Sequence, residues 1–526
     1  MSSTTEQTEH GWHPGHNPWT IALTVTLATF MEVLDTTIVN VALPHIAGGL
    51  AATQNEATWV LTSYLVSNAI VLPISGWLAL RFGRKRFYMT CVALFTASSF
   101  LCGIAPSLGL LVFFRVLQGA GGGGLQPSEQ SILADTFEPS RRGMAFAVYG
   151  MAVVVAPALG PTLGGYLTDS VGWRWIFFLN VPVGLASLLL THRLLVDPPH
   201  IRQMRARQGA PIDVRGLVLV VLAFGTLQVV LDKGQEDDWF ASSFIRSFAL
   251  VSAVSLAWLV VHELRVDSPV VDLRLLRVRN LGLCCLLMFL VGAILYGSTV
   301  LLPQYEQILL GYPAEKAGET LSVGAVVIIP LMPLVGWLLN HLAARWLVAV
   351  GFALTTLALL VMSNLEPGVS FGVLTGWRVL QSLGLAFLFI PISTSMYVGL
   401  PPGKNEEGAA LLNLGRNIGG SIGIAFVETL ITRRSQAHQN VLVAHTTRYN
   451  PAFRAAIDAA QRQAHASGAN TSVHAAYARV YEQLQRQAAA LAYVDVLQVL
   501  AVIAGVAVLA ALLLRVNPPG RATPAL

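Results

Sequence analysis

The stretch at residues 19–44, WTIALTVTLATFMEVLDTTIVNVALP, constrains this chain more than any other. About 25 almost unbroken apolar residues are long enough to cross a bilayer as a helix. Two acids, Glu32 and Asp35, nevertheless sit near the middle of the run. A carboxylate at that depth costs roughly 2.5–3.5 kcal/mol on insertion scales, so a helix serving only as an anchor would not carry two. Spaced i, i+3, both lie on one helix face. That face must look into a polar cavity or onto a partner charge. The alternative, a helix end with its acids among lipid head groups, conflicts with the apolar residues that continue past Asp35 to Leu43. The pattern predicts a proton-binding site inside a membrane transporter.

The rest of the chain agrees with a bilayer setting. Apolar residues make up 54% and charged residues 12%, about half the charge of a soluble domain. The net charge of +5 therefore bears on topology, not on nucleic acid. Cys91, Cys102, Cys284 and Cys285 fall inside apolar runs without zinc-ligand spacing and are read as small core residues. Residues 1–18 are polar and lack the basic and short apolar regions of a cleavable signal, so the first span is expected to act as the targeting signal. His10, His13 and His16 in that Gly/Pro-rich tail are read as disordered, not as a metal site.

Stretches of about 20 apolar residues recur fourteen times, at 19–43, 57–80, 86–105, 107–130, 143–167, 174–193, 214–232, 244–263, 280–304, 319–339, 343–363, 370–398, 408–431 and 490–515. An even number puts both termini on one side. Lys and Arg concentrate in the loops at 81–86, 135–142, 193–215 and 262–279, and the positive-inside rule makes that side cytoplasmic. The expected organisation is a cytoplasmic tail (1–18), a six-span bundle (19–193), a basic linker (194–213) and two inserted spans (214–263). A second linker (264–279), a second six-span bundle (280–515) and a cytoplasmic tail (516–526) follow. Within the second bundle, residues 433–489 are expected outside as two polar helices, either a solvated flap or a docking surface for a periplasmic partner.

An internal repeat supports two bundles. Val41-Ala-Leu-Pro44 is matched by Val300-Leu-Leu-Pro303, Pro73-Ile-Ser-Gly-Trp-Leu78 by Pro333-Leu-Val-Gly-Trp-Leu338, and Arg115-Val-Leu-Gln118 by Arg378-Val-Leu-Gln381, at offsets of 259, 260 and 263 residues. Three matches in one order at nearly one offset indicate duplication. The halves are then related by an axis along the membrane normal, with a site at their interface near mid-membrane.

Arg115 lies near mid-depth in the fourth span, where a lone guanidinium is costly. It is expected to pair with Asp35 or Glu32. Burial favours the protonated form of a carboxyl and a neighbouring cation favours the ionised form, so a group held between them exchanges protons in the physiological range. Competition between proton and substrate for one site, with alternating access, suffices for antiport. The alternative for Arg115 is a static structural ion pair. Gln118, Arg378, Gln381, Asn413, Arg416 and Glu428 are further polar positions inside spans and are candidates for lining the cavity, with Glu428 near the outer end. The glycine run at Gly119–Gly124 has no Lys-Ser/Thr after it and is not a phosphate loop. Gly119 and the group Gly160, Pro161, Gly164 and Gly165 are read as packing and hinge positions. With no nucleotide motif, the proton gradient is the expected energy source, with no cofactor and no metal.

Several stretches together carry a family resemblance. Leu34-Asp-Thr-Thr-Ile-Val-Asn-Val-Ala-Leu-Pro44 resembles the first-helix signature of the fourteen-helix drug:proton antiporters of the major facilitator superfamily. Arg115-Val-Leu-Gln-Gly119 is similar to the fourth-helix motif, Gly160-Pro-Thr-Leu-Gly-Gly165 to the fifth-helix antiporter motif, and Trp173–Pro182 to the start of the sixth helix. Asp232–Phe240 resembles the outer loop of the EmrB subgroup. The resemblance implies an all-α major facilitator fold of two six-helix bundles plus two inserted helices. It also implies a Gram-negative inner-membrane pump for hydrophobic or cationic drugs, uncouplers or fatty-acid-like toxins, working with a periplasmic adaptor of the EmrA type and an outer-membrane channel. Two positions depart from the pattern. Leu80 stands where the superfamily usually has Asp, which alters the expected charge lock between the bundles. Glu32 stands where the subgroup more often has a neutral polar residue. The competing readings are export of one endogenous metabolite, fatty acid or siderophore, and a membrane enzyme or sensor, for which no metal cluster, nucleophile elbow or soluble catalytic domain is found.

Overall fold

The computed structural model describes residues 15–198, 212–365, 368–447, 449–466 and 473–515. Over them the chain is helical, with no strand among the described residues. The first bundle contains α1 (Pro18–Gly49), α2 (Gln54–Ala57), α3 (Trp59–Phe82), α4 (Arg84–Gly103), α5 (Leu108–Gly122), α6 (Leu125–Thr136), α7 (Pro139–Ser170), α8 (Trp175–Phe178) and α9 (Asn180–Leu194). The inserted pair is α10 (Val214–Lys233) and α11 (Ser243–Arg265). The second bundle contains α12 (Arg279–Ile308), α13 (Ala314–Leu338), α14 (Ala344–Met362), α15 (Phe371–Ser395), α16 (Asn405–Ala444), α17 (Pro451–Ala466) and α18 (Val473–Leu512). His10, His13, most of the basic linker, the turn at 467–470 and the tail at 516–526 lie outside the described residues.

Every expected span falls on helix. Among the described residues, twelve helices are long and apolar enough to cross a membrane, counting α2 with α3, α5 with α6 and α8 with α9. A thirteenth span is α7, bent by 45° between Pro139–Pro157 and Leu159–Ser170, where Pro157 removes a backbone donor and Pro161 removes a second one. The remaining expected span is α4, whose 20 residues open on Arg84, Lys85 and Arg86. Thr96, Ser98 and Ser99 are buried inside it, and it is held between α5 and α9 by packing.

The repeat is visible in the packing. α1 lies against α7 as α12 lies against α16; α4 against α5 as α14 against α15; α3 against α5 as α13 against α15. The two bundles meet along a matched pair of crossings, α3 with α16 and α7 with α13. Small residues make the helix crossings close. A Cβ on Gly160 would run into the Thr37 side chain, and one on Gly164 would stand 3.1 Å from the Ile38 carbonyl oxygen. Gly165, expected to pack in the same way, has nothing within 4 Å of a Cβ; one residue on, the helix has turned it off the α1 face.

Both described ends of the chain lie on one face. Trp19 stacks edge-on against Phe137, 5.0 Å between ring centroids, and the Arg515 backbone N–H donates to Asn280 Oδ1 at 3.1 Å. Arg84, Arg279 and Lys404 begin helices there, and we call it the basic face. At the opposite face α16 and α18 run on past the bilayer-length stretch. Within 433–489, α17 and the start of α18, which continues into the last span, are the two polar helices expected, and the end of α16 extends into the segment as well. Gln439 Nε2 donates to Tyr481 Oη at 2.8 Å between the two extensions, and His438 reaches Asp495 at 2.8 Å. The inserted pair packs on both bundles. Gly225 of α10 abuts Ile70 of α3, and Gln228 Oε1 accepts from Ser421 Oγ of α16 at 3.1 Å.

Candidate functional site

Asp35 is 1% exposed and Arg115 fully buried. Arg115 Nη1 reaches Asp35 Oδ2 at 2.5 Å. Of the two acids offered as partners, the structure pairs Arg115 with Asp35. The other carboxylate oxygen, Oδ1, accepts from Gln118 Nε2 at 3.0 Å and from Asn180 Nδ2 at 2.8 Å. Arg115 also donates from Nε to the Val60 carbonyl at 3.0 Å and from Nη1 to Gln118 Oε1 at 2.9 Å. Its guanidinium carbon lies 4.3 Å from the Tyr64 ring centroid. Gln118 follows Arg115 by three residues, so one face of α5 presents both groups to α1. Asn180, at the first turn of α9, was not singled out in the sequence; its signal was an amide inside an apolar run.

Glu32 belongs to a second cluster that crosses between the bundles. Its Oε2 accepts from Gln126 Nε2 at 2.6 Å, and its Oε1 lies 3.4 Å from both Tyr64 Oη and Asn68 Nδ2. Gln126 Oε1 in turn accepts from Arg416 Nη2 of the second bundle and from Tyr149 Oη. Gln126 therefore spans from an acid of one bundle to a guanidinium of the other. Asn413 and Gln130 hydrogen-bond across the same interface, at 3.1 Å from Asn413 Nδ2, and Asn417 Nδ2 reaches Asn68 Oδ1 at 3.5 Å. Arg416 also lies beside the Tyr149 hydroxyl, with its guanidinium carbon 5.7 Å from the Phe389 ring centroid. Asn413 and Arg416 thus line the interface as expected. Gln126, Glu129 and Gln130 were missed because they close the fourth span, where polar residues at the head groups are unexceptional. Glycine has low helix propensity, and the Gly119–Gly124 run breaks the span, so α5 ends at Gly122 and the polar α6 begins at Leu125.

The family model described as Major Facilitator Superfamily matches residues 25–424. The chain belongs to the Major Facilitator Superfamily. Within it the chain falls in the EmrB group. It is 40% identical to the multidrug export protein EmrB of Escherichia coli K12 over 82% of this chain and 83% of that protein. It is 37% identical to the fatty acid resistance protein FarB of Neisseria gonorrhoeae over 82% of this chain and 84% of that protein. The colistin resistance protein EmrB of Acinetobacter baumannii is 27% identical over 93% of this chain and 95% of that protein. The crystal structure of the human organic anion transporter MFSD10 (TETRAN) covers 93% of this chain and all of that one, with a TM-score of 0.57 at 14% identity; that likeness shows the fold alone.

In this superfamily member the second bundle carries a copy of the first site without its acid. Arg378 Nη1 donates to Gln381 Oε1 at 2.6 Å, as Arg115 does to Gln118, but Gln381 Nε2 meets Ser298 Oγ at 2.8 Å where Gln118 meets a carboxylate. Arg378 and Gln381 are buried within that bundle. Glu428 is half-buried near Asp232 and Glu236 at the far face and, among the described residues, forms no ion pair or hydrogen bond with the Asp35 cluster, so the structure leaves it out of the central network.

The charge lock takes an altered form. Leu80 is buried and supplies no acid. Arg84 instead pairs with Asp135 at 2.5 Å and with Glu406 of the second bundle at 2.7 Å. Ser128 Oγ donates to Glu406 Oε1 at 2.6 Å and Asn405 Nδ2 to Asp135 Oδ1 at 2.6 Å. An acid from the opposite bundle thus serves the arginine, and the basic face is closed. Removing the cation from a buried cluster leaves uncompensated charge, so Arg84→Gln is expected to cost about 3–5 kcal/mol. Thermal unfolding of the purified protein in detergent reads this. Adding Asp135→Asn and Glu406→Gln should recover most of the loss; no recovery would show that the cluster is not held by charge.

Proposed function

We propose that the protein is a proton-coupled antiporter that exports hydrophobic or cationic toxic compounds across a bacterial inner membrane. The observation that carries this reading is the Asp35–Arg115 pair, closed off from solvent inside the first bundle and, with Gln118 and Asn180, joining the three helices α1, α5 and α9. An acid at bilayer depth with a dedicated cation is what a proton-loading site requires. Glu32, one turn away on α1 and bridged by Gln126 to Arg416, transmits its charge state to the second bundle. Protonation of Glu32 weakens its hold on Gln126 and, through it, the contact with Arg416, which favours parting of the bundles. The proton gradient is the energy source and no bound cofactor takes part.

The basic face is read as cytoplasmic, following the positive-inside rule. The helical extensions of α16 and α18 with α17 then stand in the periplasm of a Gram-negative cell, placed to meet an adaptor of the EmrA type that continues to an outer-membrane channel. A second reading is export of one fatty-acid-like metabolite, favoured by the 37% identity to a protein named for fatty acid resistance.

The deciding experiment reconstitutes the purified protein in liposomes under an imposed pH gradient, with a panel of cationic dyes and fatty acids. Dye movement driven by the gradient and matched by proton counterflow supports drug antiport. Movement of fatty acids alone selects the second reading, and absence of proton counterflow with any substrate overturns both. Glu32→Gln is expected to retain gradient-driven transport at a rate reduced about tenfold, the loss of one transition-specific interaction worth about 1.4 kcal/mol.

A further inference from the structure

Glu129 of α6 is fully buried and takes no part in the Asp35 cluster. Its Oε1 accepts from Thr26 Oγ1 at 2.5 Å. Its Oε2 is also buried, the Thr29 hydroxyl lies beside the carboxyl, and no Lys, Arg or His among the described residues forms an ion pair with it. The titratable groups facing it are Glu32 of α1, Tyr88 of α4 and Tyr149 of α7. An ionised carboxylate without counter-charge is costly there.

Its position lies between two other acids. Gln126, three residues earlier on α6, donates to Glu32 Oε2 at 2.6 Å. Ser128, the adjacent residue, donates to Glu406 Oε1 at 2.6 Å, and Glu406 is locked to Arg84 at the basic face. α1 gives the same order independently. Thr26, the partner of Glu129, precedes Glu32 by six residues, about 9 Å nearer the helix start at the basic face for a rise of 1.5 Å per residue. The buried Thr29 lies between them with its hydroxyl beside Glu129.

We infer that Glu129 is a second proton carrier, receiving protons from the Glu32 side of the network and discharging them at the basic face. The inference rests on the antiport reading above. While the bundles are locked, Glu129 holds its proton. When they part at the basic face, Ser128 loses Glu406, water reaches Glu129 and the proton leaves to it. The carboxylate left behind takes the proton of the Glu32 carboxyl, and Glu32 is reloaded from the opposite face. One proton enters at Glu32 for each that leaves at Glu129, and the substrate path need not carry it.

The test uses the full chain in liposomes with ethidium as substrate and pyranine inside as pH reporter, comparing wild type, Glu129→Gln and Glu129→Asp. Gln matches the neutral carboxyl in shape and keeps an acceptor for Thr26, so it should bind ethidium and unfold like wild type. Its turnover and proton counterflow are expected to fall about tenfold with KM for ethidium within about twofold, and Glu129→Asp should restore most of the rate. Wild-type counterflow in Glu129→Gln, with coupling intact in the wild type, overturns the assignment and leaves the antiport reading standing. Wild type moving ethidium without protons overturns both. If Glu129→Gln does not fold, Glu129→Asp decides: coupled transport with an altered pH profile supports a carrier, and an unaltered profile overturns it.

Discussion

Asp35→Asn is expected to reduce gradient-driven efflux to the level of empty liposomes, a loss of at least about 100-fold, the lower range for removing a proton-transferring side chain. The carboxylate accepts from Arg115, Gln118 and Asn180 at once, and the amide fills the same space but can neither take up nor release a proton. It also leaves Arg115 as an uncompensated buried cation, a defect of about 3–5 kcal/mol that would confuse loss of coupling with loss of folding. The double variant Asp35→Asn/Arg115→Gln removes both charges and is expected to restore the unfolding temperature without restoring transport. Efflux from either variant near the wild-type rate, with proton counterflow intact, would remove Asp35 from the mechanism. Asp35→Glu should keep measurable coupling, because the longer side chain still titrates.

Gly336→Leu is expected to hold the bundles apart at the basic face. A Cβ on Gly336 would stand 2.7 Å from the Gly143 carbonyl oxygen and 3.1 Å from Met144 Cα, and one on Gly143 would stand 2.8 Å from the Gly336 oxygen. These are backbone atoms of the crossing between α7 and α13, so no rotamer change relieves the clash. Overpacking of this kind costs about 1–3 kcal/mol or more, enough to change the ratio of two transporter states by about 5- to 150-fold. The native cysteines are free and at least half-buried, which leaves a low background for labelling. A cysteine placed at Ser128, inside the closed interface, should therefore react faster with a membrane-impermeant maleimide in Gly336→Leu, and turnover should fall with it. Unchanged labelling together with normal turnover would show that this crossing does not gate the basic face.

The same glycine shows how far the sequence could be read. The repeat of Pro-x-x-Gly-Trp-Leu at 73–78 and 333–338 was visible as a duplication. Its role was not. Gly76 meets Glu407 of α16, with a Cβ 2.8 Å from Glu407 Cα, as Gly336 meets Gly143. The duplicated glycines are two of the places where backbones of the two bundles approach closely, and a contact between segments far apart in the chain leaves no local pattern. Asp35 and Arg115 were legible because each is anomalous by itself: charge at bilayer depth demands a partner wherever it occurs. Glu129 and Glu406 escaped notice because each stands near the end of an apolar run, where a charge at the head groups would be unexceptional. Only the assembled bundles, in which α16, α1 and α7 pack against α6, bury its polar residues.

The sequence by itself determined that this chain spans a membrane many times, that it is built from two related halves, and that an acid and an arginine are buried in the first half. Those conclusions follow from hydropathy and from the cost of charge in hydrocarbon, which act residue by residue. The tertiary structure alone decided that Asp35 and not Glu32 takes Arg115, that Gln126 carries Glu32 across to Arg416, and that Glu406 replaces the acid missing at Leu80. Each of these is a choice among several partners of the right charge, and it is made by which helix faces pack together, a property of the assembled bundles that no single segment contains.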